Sequence, residues 1–284
     1  MSTDQDVATT ADAHVAPMEA WDAIADGYDR YVAPQEDALA NEALTLAGLK
    51  PGERFLDVAA GTGGLSLPAA RRGARVVATD WSPAMIERFE ARVRNEGLAH
   101  AEARVMDCHA LQFEDDTFDL TGSQFGVMLV PDQARALREM VRVTKPGGRV
   151  LVVAYGAPAE LDFLQMFIGA FQVVVPDFAG LPENPPPLEF QVSDPAVLRQ
   201  RLIDAGVKNP RVEPSTEQPT FRSGQEMWDW VLYGNPIPGM LIADLADEQQ
   251  ATIKQVLDGM LRERSDGAGP AVLSNRVHIA IGTT

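Results

Sequence analysis

The run Phe55-Leu56-Asp57-Val58-Ala59-Ala60-Gly61-Thr62-Gly63-Gly64 constrains this chain more than any other feature. An apolar stretch of strand length passes directly into a glycine-rich bend and then into a helical pattern, Leu65 to Arg72. Glycine reaches positive φ without steric cost and lets a ligand approach the backbone closely. The N-terminus of the following helix offers unpaired N–H groups and a partial positive charge, which suit a carboxylate or a phosphate. By itself such a bend is also an ordinary strand–helix connection, so further residues have to agree with it.

Acids recur at the strand ends that follow. Arg75 to Thr79 reads as a second strand with Asp80 directly after it. That is about 20 residues past the bend, where dinucleotide folds place the acid that hydrogen-bonds ribose hydroxyls. Ala103 to Met106 is a third strand followed by Asp107, an acid able to accept from an exocyclic amine. Phe118 to Ser123 and Arg149 to Tyr155 are a fourth and fifth strand, the last preceded by Lys145-Pro146-Gly147-Gly148. Helices over Pro83 to Asn95, capped by Ser82, and over Gln133 to Thr144 separate them. Strands alternating with helices predict a parallel, doubly wound sheet with its ligand crevice along the C-terminal edge of the strands.

Residues 55–155, taken in this order, resemble the small-molecule class I S-adenosylmethionine-dependent methyltransferases, in particular the ubiquinone/menaquinone-biosynthesis type. Upstream, Trp21-Asp22-Ala23-Ile24-Ala25-Asp26-Gly27-Tyr28-Asp29 resembles that family's N-terminal W-x-x-x-A-x-x-Y-D helix. The resemblance runs from residue 18 to 155 and bears on the cofactor rather than on the acceptor. It implies an α/β, Rossmann-like doubly wound sheet of seven strands, the last antiparallel, with a helical lid insertion, and an enzyme that uses S-adenosyl-L-methionine. It further implies that Gly61 and Gly63 cradle the methionine part, with Ala59 in the same bend, and that Asp57 orients the amino end. Asp80 would hold the ribose, with Trp81 and Met85 against the adenine. Asp107 would bind adenine N6 and the Cys108 backbone N–H a ring nitrogen. Gln124 and Phe125 would line the floor after the fourth strand, and Tyr28 would close over the methionine end. Where the family often has glycine this chain has Ala59, which fits if that position keeps a negative φ.

After Tyr155 the alternation breaks. The expected organisation is a disordered tail over 1–16, N-terminal helices and core over 17–155, and substrate-covering helical insertions over 156–192 and 222–270. The final core helix and strands fall in 193–221 and 271–284. Phe163, Met166, Phe167, Phe171, Trp228, Trp230 and Tyr233 concentrate aromatic and apolar surface in the insertions of a chain that is only 7% aromatic, and Phe163, Phe167, Trp228 and Tyr233 are the expected pocket residues. They suit a flat or lipophilic small acceptor, although they would serve equally to pack the cover onto the sheet. The reaction expected is in-line displacement, with the acceptor atom about 3 Å from the methyl carbon. A base is required only if the acceptor must lose a proton. His109 is the one candidate, set against the commoner case of an exposed loop histidine. Cys108 reads as a packed side chain rather than a nucleophile, since no His or Asn partner sits at a recognisable spacing. His14, His100 and His278 receive no role, no metal is expected, and the acceptor atom is left open among O, N, C and S.

The net charge of −17 disfavours nucleic acid and anionic membrane surfaces as partners. The single cysteine forms no intramolecular disulfide, and residues 1–14 lack the basic and apolar regions of a signal peptide. The most apolar stretch, Leu161 to Val175, is short and broken by Asp162, Gln165 and Gln172. The expected location is the cytoplasm, and a homodimer stays open. Two rival readings share the bend. A nicotinamide-dependent oxidoreductase lacks support because Ser66 stands where G-x-G-x-x-G needs its third glycine, and the acids at 57 and 107 have no role there. A non-catalytic binding module would keep the glycines and Asp80 but block the acceptor pocket.

Overall fold

A computed structural model describes residues 16–284. Five parallel strands, β1 (Arg54–Val58), β2 (Arg75–Asp80), β3 (Ala101–Val105), β4 (Phe118–Gln124) and β5 (Thr144–Tyr155), are joined to β6 (Lys208–Glu217) and β9 (Asn275–Thr283) in the order β3-β2-β1-β4-β5-β9-β6. β9 runs antiparallel to both β5 and β6. This is the Rossmann-like seven-stranded sheet with an antiparallel last strand. The ends of β5 and β6 and the start of β9 therefore share one edge with the ends of β1 to β4.

Local chemistry sets the helices that flank it. In α4 (Pro83–Glu96) the Ser82 hydroxyl accepts the Met85 N–H, Pro83 occupies the first turn, and Gly97 closes the helix at φ +66°. α5 (Gln133–Val143) buries Ala136, Leu137, Met140 and Val143, one apolar stripe against the sheet. α3 (Ser66–Arg71) and α7 (Pro195–Asp204) complete the layers. β9 buries Val277, Ile279, Ala280 and Ile281 in succession, as expected of a strand covered on both faces.

A second apolar cluster lies over the strand-end edge. α6 (Asp162–Val174), α8 (Gly224–Gly234), α9 (Pro236–Ile242) and α10 (Asp247–Arg264) pack through Phe167, Phe171, Trp228, Trp230 and Leu257, with a two-stranded ribbon, β7 (Thr220–Phe221) and β8 (Ala271–Val272), beside them. A side chain at Gly224 would strike the Lys254 carbonyl, so this glycine sets the close approach of α8 to α10. α1 (Met18–Gly27) continues into a π-helical turn, Tyr28–Val32, before α2 (Asp37–Leu46).

Several boundaries differ from the sequence reading. β5 begins at Thr144, five residues before Arg149, because Lys145–Gly148 pair irregularly beside a register shift at Phe118/Leu120. The stretch from Arg211 to Phe221 is two strands, β6 and β7, since the chain leaves the large sheet after Glu217. α9 was not anticipated. Asn235 caps the Ile237 N–H and Pro236 sits in the first turn, where a missing N–H does no harm. The tail expected over 1–16 lies outside the described residues except for Ala16, which is buried. Among the described residues no helix is long and apolar enough to cross a membrane.

Candidate functional site

β1 delivers Asp57 to the strand edge, fully buried. Its Oδ2 accepts the Ser66 hydroxyl at 2.6 Å, while Oδ1 is buried without a partner among the described residues. Burial pushes this carboxyl up to about 7, opposed by the Ser66 hydrogen bond. Beyond it the bend turns through Ala59 at φ +54°, Gly61 at φ +54° and Gly63 at φ +99°. The negative φ expected at Ala59 is therefore corrected. This alanine occupies the left-handed region that favours glycine, at a cost of about 1–2 kcal/mol, and its backbone is held because the Ala60 N–H donates to Thr79 O at 2.9 Å.

Asp80 ties the first two strand ends together. Its carboxylate accepts the Gly61 N–H at 2.9 Å on one oxygen and the Ser82 N–H at 3.0 Å on the other. Burial raises its pKa, and these amides oppose the rise. After β3, Asp107 accepts both the backbone N–H and Nδ1 of His109, at 2.9 and 2.7 Å. Although burial works the other way, these contacts hold Asp107 below the usual carboxylate range. No metal was expected, yet the ligand atoms of Asp107, Cys108 and His109 lie within 4.8 Å of one another. The thiol in that group is pushed up to about 12 by burial and by Asp107, which disfavours the thiolate a metal requires.

These strand ends open into a cavity of about 360 Å³ roofed by α1, α6, α8 and α9. From the cofactor residues expected, Tyr28, Asp57, Ala59, Gly61, Asp80, Trp81 and Met85 line it, as do Asp107, Cys108, Gln124 and Phe125. Phe163, Phe167 and His109 also line it. Three expected residues do not. Gly63 instead lets the bend pack on Phe89 of α4, which a Cβ would strike. Trp228 faces Phe167 at 6.1 Å with the Lys254 ammonium over its ring at 5.4 Å. Tyr233 stacks on Tyr31 at 5.4 Å and fills the space left by Gly27. Both belong to the packing of the cover.

Four titratable lining residues escaped the sequence reading: Glu36, Tyr155, Glu189 and Glu217. Tyr155 ends the fifth strand, so strand-end position alone could have flagged it. Glu217 also ends a strand, but reading that strand through to Phe221 hid the fact. Glu36 takes the Tyr28 hydroxyl at 2.7 Å, and burial pushes it up to about 7. Glu217 takes the Asn275 amide at 3.0 Å and is likewise pushed up to about 7 by burial. The Gln124 amide and the Trp230 indole N–H are buried without partners among the described residues.

Residues 56–152 match a protein family described as methyltransferase domain. Over those residues the core of this chain resembles a methyltransferase domain. It contains the ends of β1 to β4 and every acid from Asp57 to Asp107 discussed above. An uncharacterised protein of Mycobacterium tuberculosis is 46% identical over 109 residues, covering 38% of this chain and 39% of that one. The demethylmenaquinone methyltransferase of Streptomyces avermitilis is 37% identical over 137 residues, covering 48% of this chain and 57% of the enzyme. The matched part thus spans about two-fifths to three-fifths of these relatives' own lengths. The methyltransferase domain and its cover superpose on phosphoethanolamine N-methyltransferase 2 of Haemonchus contortus, solved with phosphomonomethylethanolamine and S-adenosylhomocysteine. That match has a TM-score of 0.52 and 20% identity, over 86% of this chain and 52% of the other. In sequence the chain resembles the ubiquinone/menaquinone-type methyltransferases, and its fold is that of the solved methyltransferase it superposes on.

Proposed function

We propose that this chain moves the methyl group of S-adenosylmethionine to a small, apolar or aromatic acceptor by in-line displacement. One observation carries the reading. A single cavity contains the carboxylates at three successive strand ends, Asp57, Asp80 and Asp107, and continues into an aromatic chamber beneath α6 and α8. The residues fit the cofactor. Asp80 is pre-aimed by two backbone amides and keeps lone pairs for ribose hydroxyls. The unpartnered Asp57 Oδ1 suits an ammonium group. Asp107 has an oxygen not engaged by His109, suited to an exocyclic amine, with Trp81 and Met85 flanking it.

When bound, the cofactor supplies an electrophilic methyl group on a sulfonium, so the demanding chemistry is its own. The protein's part is to hold two reactants in line, an alignment worth about 7–11 kcal/mol of barrier. Phe125, Tyr155 and Phe163 form a continuous aromatic wall, with ring centroids 4.4 and 5.7 Å apart, that excludes water from the chamber. His109 sits after β3, three strands from Gln124 and Phe125 at the end of β4, which at strand spacing is about 14 Å. That separation and its bond to Asp107 argue against His109 as a base for the acceptor.

Against a nicotinamide reading, Ser66, its hydroxyl committed to Asp57, stands where the dinucleotide fingerprint needs a bare glycine for close helix–strand packing. The test is thermal melting with S-adenosylhomocysteine, NAD and NADP, followed by methyl transfer to a panel of phenols, quinols and amines. Stabilisation by the homocysteine product alone, with turnover on one acceptor, is the expected result. Stabilisation by a dinucleotide instead overturns the reading, and stabilisation without any turnover favours a binding module.

A further inference from the structure

The cavity contains six carboxylates, Glu36, Asp57, Asp80, Asp107, Glu189 and Glu217, and no lysine or arginine among its lining residues. Residues 1–15, outside the described part, contain no lysine or arginine either and so have none to contribute. The arginine acting on Glu36 is Arg92, and it is held outside the lining by Asp29 at 3.5 Å and by the Thr62 carbonyl at 3.2 Å. Three of the carboxylates stand at the ends of β1 to β3, and Glu36 lies over the glycine bend at Gly64. Glu189 and Glu217 lie apart from that group. Glu217 ends β6, at the far side of β9 from β5, and Tyr155 ends β5.

The fold uses only one of the two oxygens of Glu217. Only 3% of its surface is exposed, one of its oxygens takes the Asn275 amide, and the other has no hydrogen-bond partner among the described residues. An acid buried with a free oxygen on a cavity costs stability unless something arrives to pair with it. The wall around it is aromatic. Tyr155, Phe163 and Trp230 follow one another at 5.7 and 5.1 Å, presenting π faces that attract a cation.

From this arrangement we infer that the acceptor is a lipophilic amine, bound as its ammonium ion by Glu217 and the Tyr155–Phe163–Trp230 wall, and methylated on nitrogen. The inference rests on the methyltransferase reading above and names its substrate class. In the reaction the ammonium nitrogen gives one proton to the free Glu217 oxygen, leaving a neutral amine and a carboxylic acid. The released lone pair forms the N–C bond to the methyl group as the donor's S–C bond breaks and its electron pair stays on sulfur. The product carries the positive charge on nitrogen, as the substrate did on entry.

The same field discriminates against the alternatives. Carboxylate and phosphate acceptors meet six carboxyl groups and no counter-ion. A phenol has to become anionic to react well, and the two phenols already in the cavity show what happens there. Tyr28 and Tyr155 are both pushed well above the usual tyrosine range, first by burial and then by Glu36 and Glu217.

The experiment uses the full chain saturated with S-adenosylhomocysteine and three probes of one skeleton: 2-(1-naphthyl)ethylamine, 2-(1-naphthyl)ethanol and 1-naphthylacetate. Binding is measured by calorimetry, and methyl transfer from labelled S-adenosylmethionine is followed in parallel. The amine is expected to bind at least about tenfold tighter than the alcohol, the difference of one charge-assisted hydrogen bond, with the carboxylate weakest. Glu217→Gln should erase the amine's advantage while leaving the alcohol's affinity in place. An amine that binds no better than its alcohol, or not at all, overturns the inference. Should the variant fail to fold, the comparison among the three probes on the unaltered protein still decides. A chain that S-adenosylhomocysteine does not stabilise fails at the earlier reading. One that it stabilises, but that prefers the alcohol or the carboxylate, fails only here.

Discussion

The hydroxyl of Tyr28 donates to Glu36 at 2.7 Å, and the other oxygen of the same carboxylate lies over Gly64, where a side chain would collide with it. The π turn that carries Tyr28 is thereby fastened to the glycine bend through one buried acid. Tyr28→Phe removes the bond and leaves Glu36 buried without its donor. The expected result is a loss of about tenfold in affinity for S-adenosylhomocysteine by calorimetry, the worth of one hydrogen bond, with the fold retained. Unchanged affinity would show that the pair only packs.

Ala59 adopts φ +54° beside the cavity. Ala59→Gly relieves the left-handed strain, and the extra freedom of glycine in the unfolded chain offsets only part of the gain. The variant should be more stable by about 0.5–1 kcal/mol in urea titration. A destabilised variant would mean that the methyl group, which lies against Gly126, contributes more by packing than the backbone loses.

Asp22 of α1 accepts from the Ser82 hydroxyl and from the Ala84 N–H at 3.1 Å, so the N-terminal helix is bound to the start of α4 by one side chain. Asp22→Ala should free α1 and the π turn. Amide exchange over residues 18–32 is expected to quicken by about tenfold, the equivalent of one lost bond, while exchange in β1 to β5 stays as it was. Uniform quickening over the whole chain would show instead that α1 is integral to global stability.

Glu36, Asp57 and Glu217 are each pushed up to about 7 by burial. In the unfolded chain such groups lose their protons near pH 4 to 4.5. Between there and about pH 7 the unfolded state holds fewer protons than the folded one, so stability falls as pH rises, and above pH 7 the loss is complete. Glu217→Gln keeps an oxygen for Asn275 but removes one of the three groups. Its melting temperature should therefore decline less between pH 4.5 and 8 than that of the unaltered protein, both without ligand, by an amount equivalent to roughly 2 kcal/mol at the upper end. Parallel melting curves would remove Glu217 from this account.

The sheet and the strand-end residues that line the cavity were legible because each rests on local chemistry. A bend rich in glycine needs glycine, a buried strand reads as an apolar run, and a strand's final residue points into the crevice by topology. The sign of φ at Ala59 was not legible, since nothing in an alanine announces a left-handed backbone. Trp228 and Tyr233 were assigned to the pocket for being aromatic, and sequence does not say which face of α8 looks inward. Trp230, two positions on, lines the cavity, whereas Trp228 and Tyr233 fill the seams among helices. Glu217 was missed because its place at the cavity depends on β6 ending before β7, which only the pairing with β9 reveals.

The position of β9 bears on how the molecule is made. It lies between β5 and β6 yet is synthesised after both, so β6 has no neighbour to join until residues 275–283 emerge. The segment from 156 to 274, which contains β6 and the cover helices, joins the large sheet only once β9 has paired. A nascent chain stalled before that point would hold its glycine bend complete beneath α1, with the cover helices α6, α8 and α9 not yet anchored to the sheet by β9.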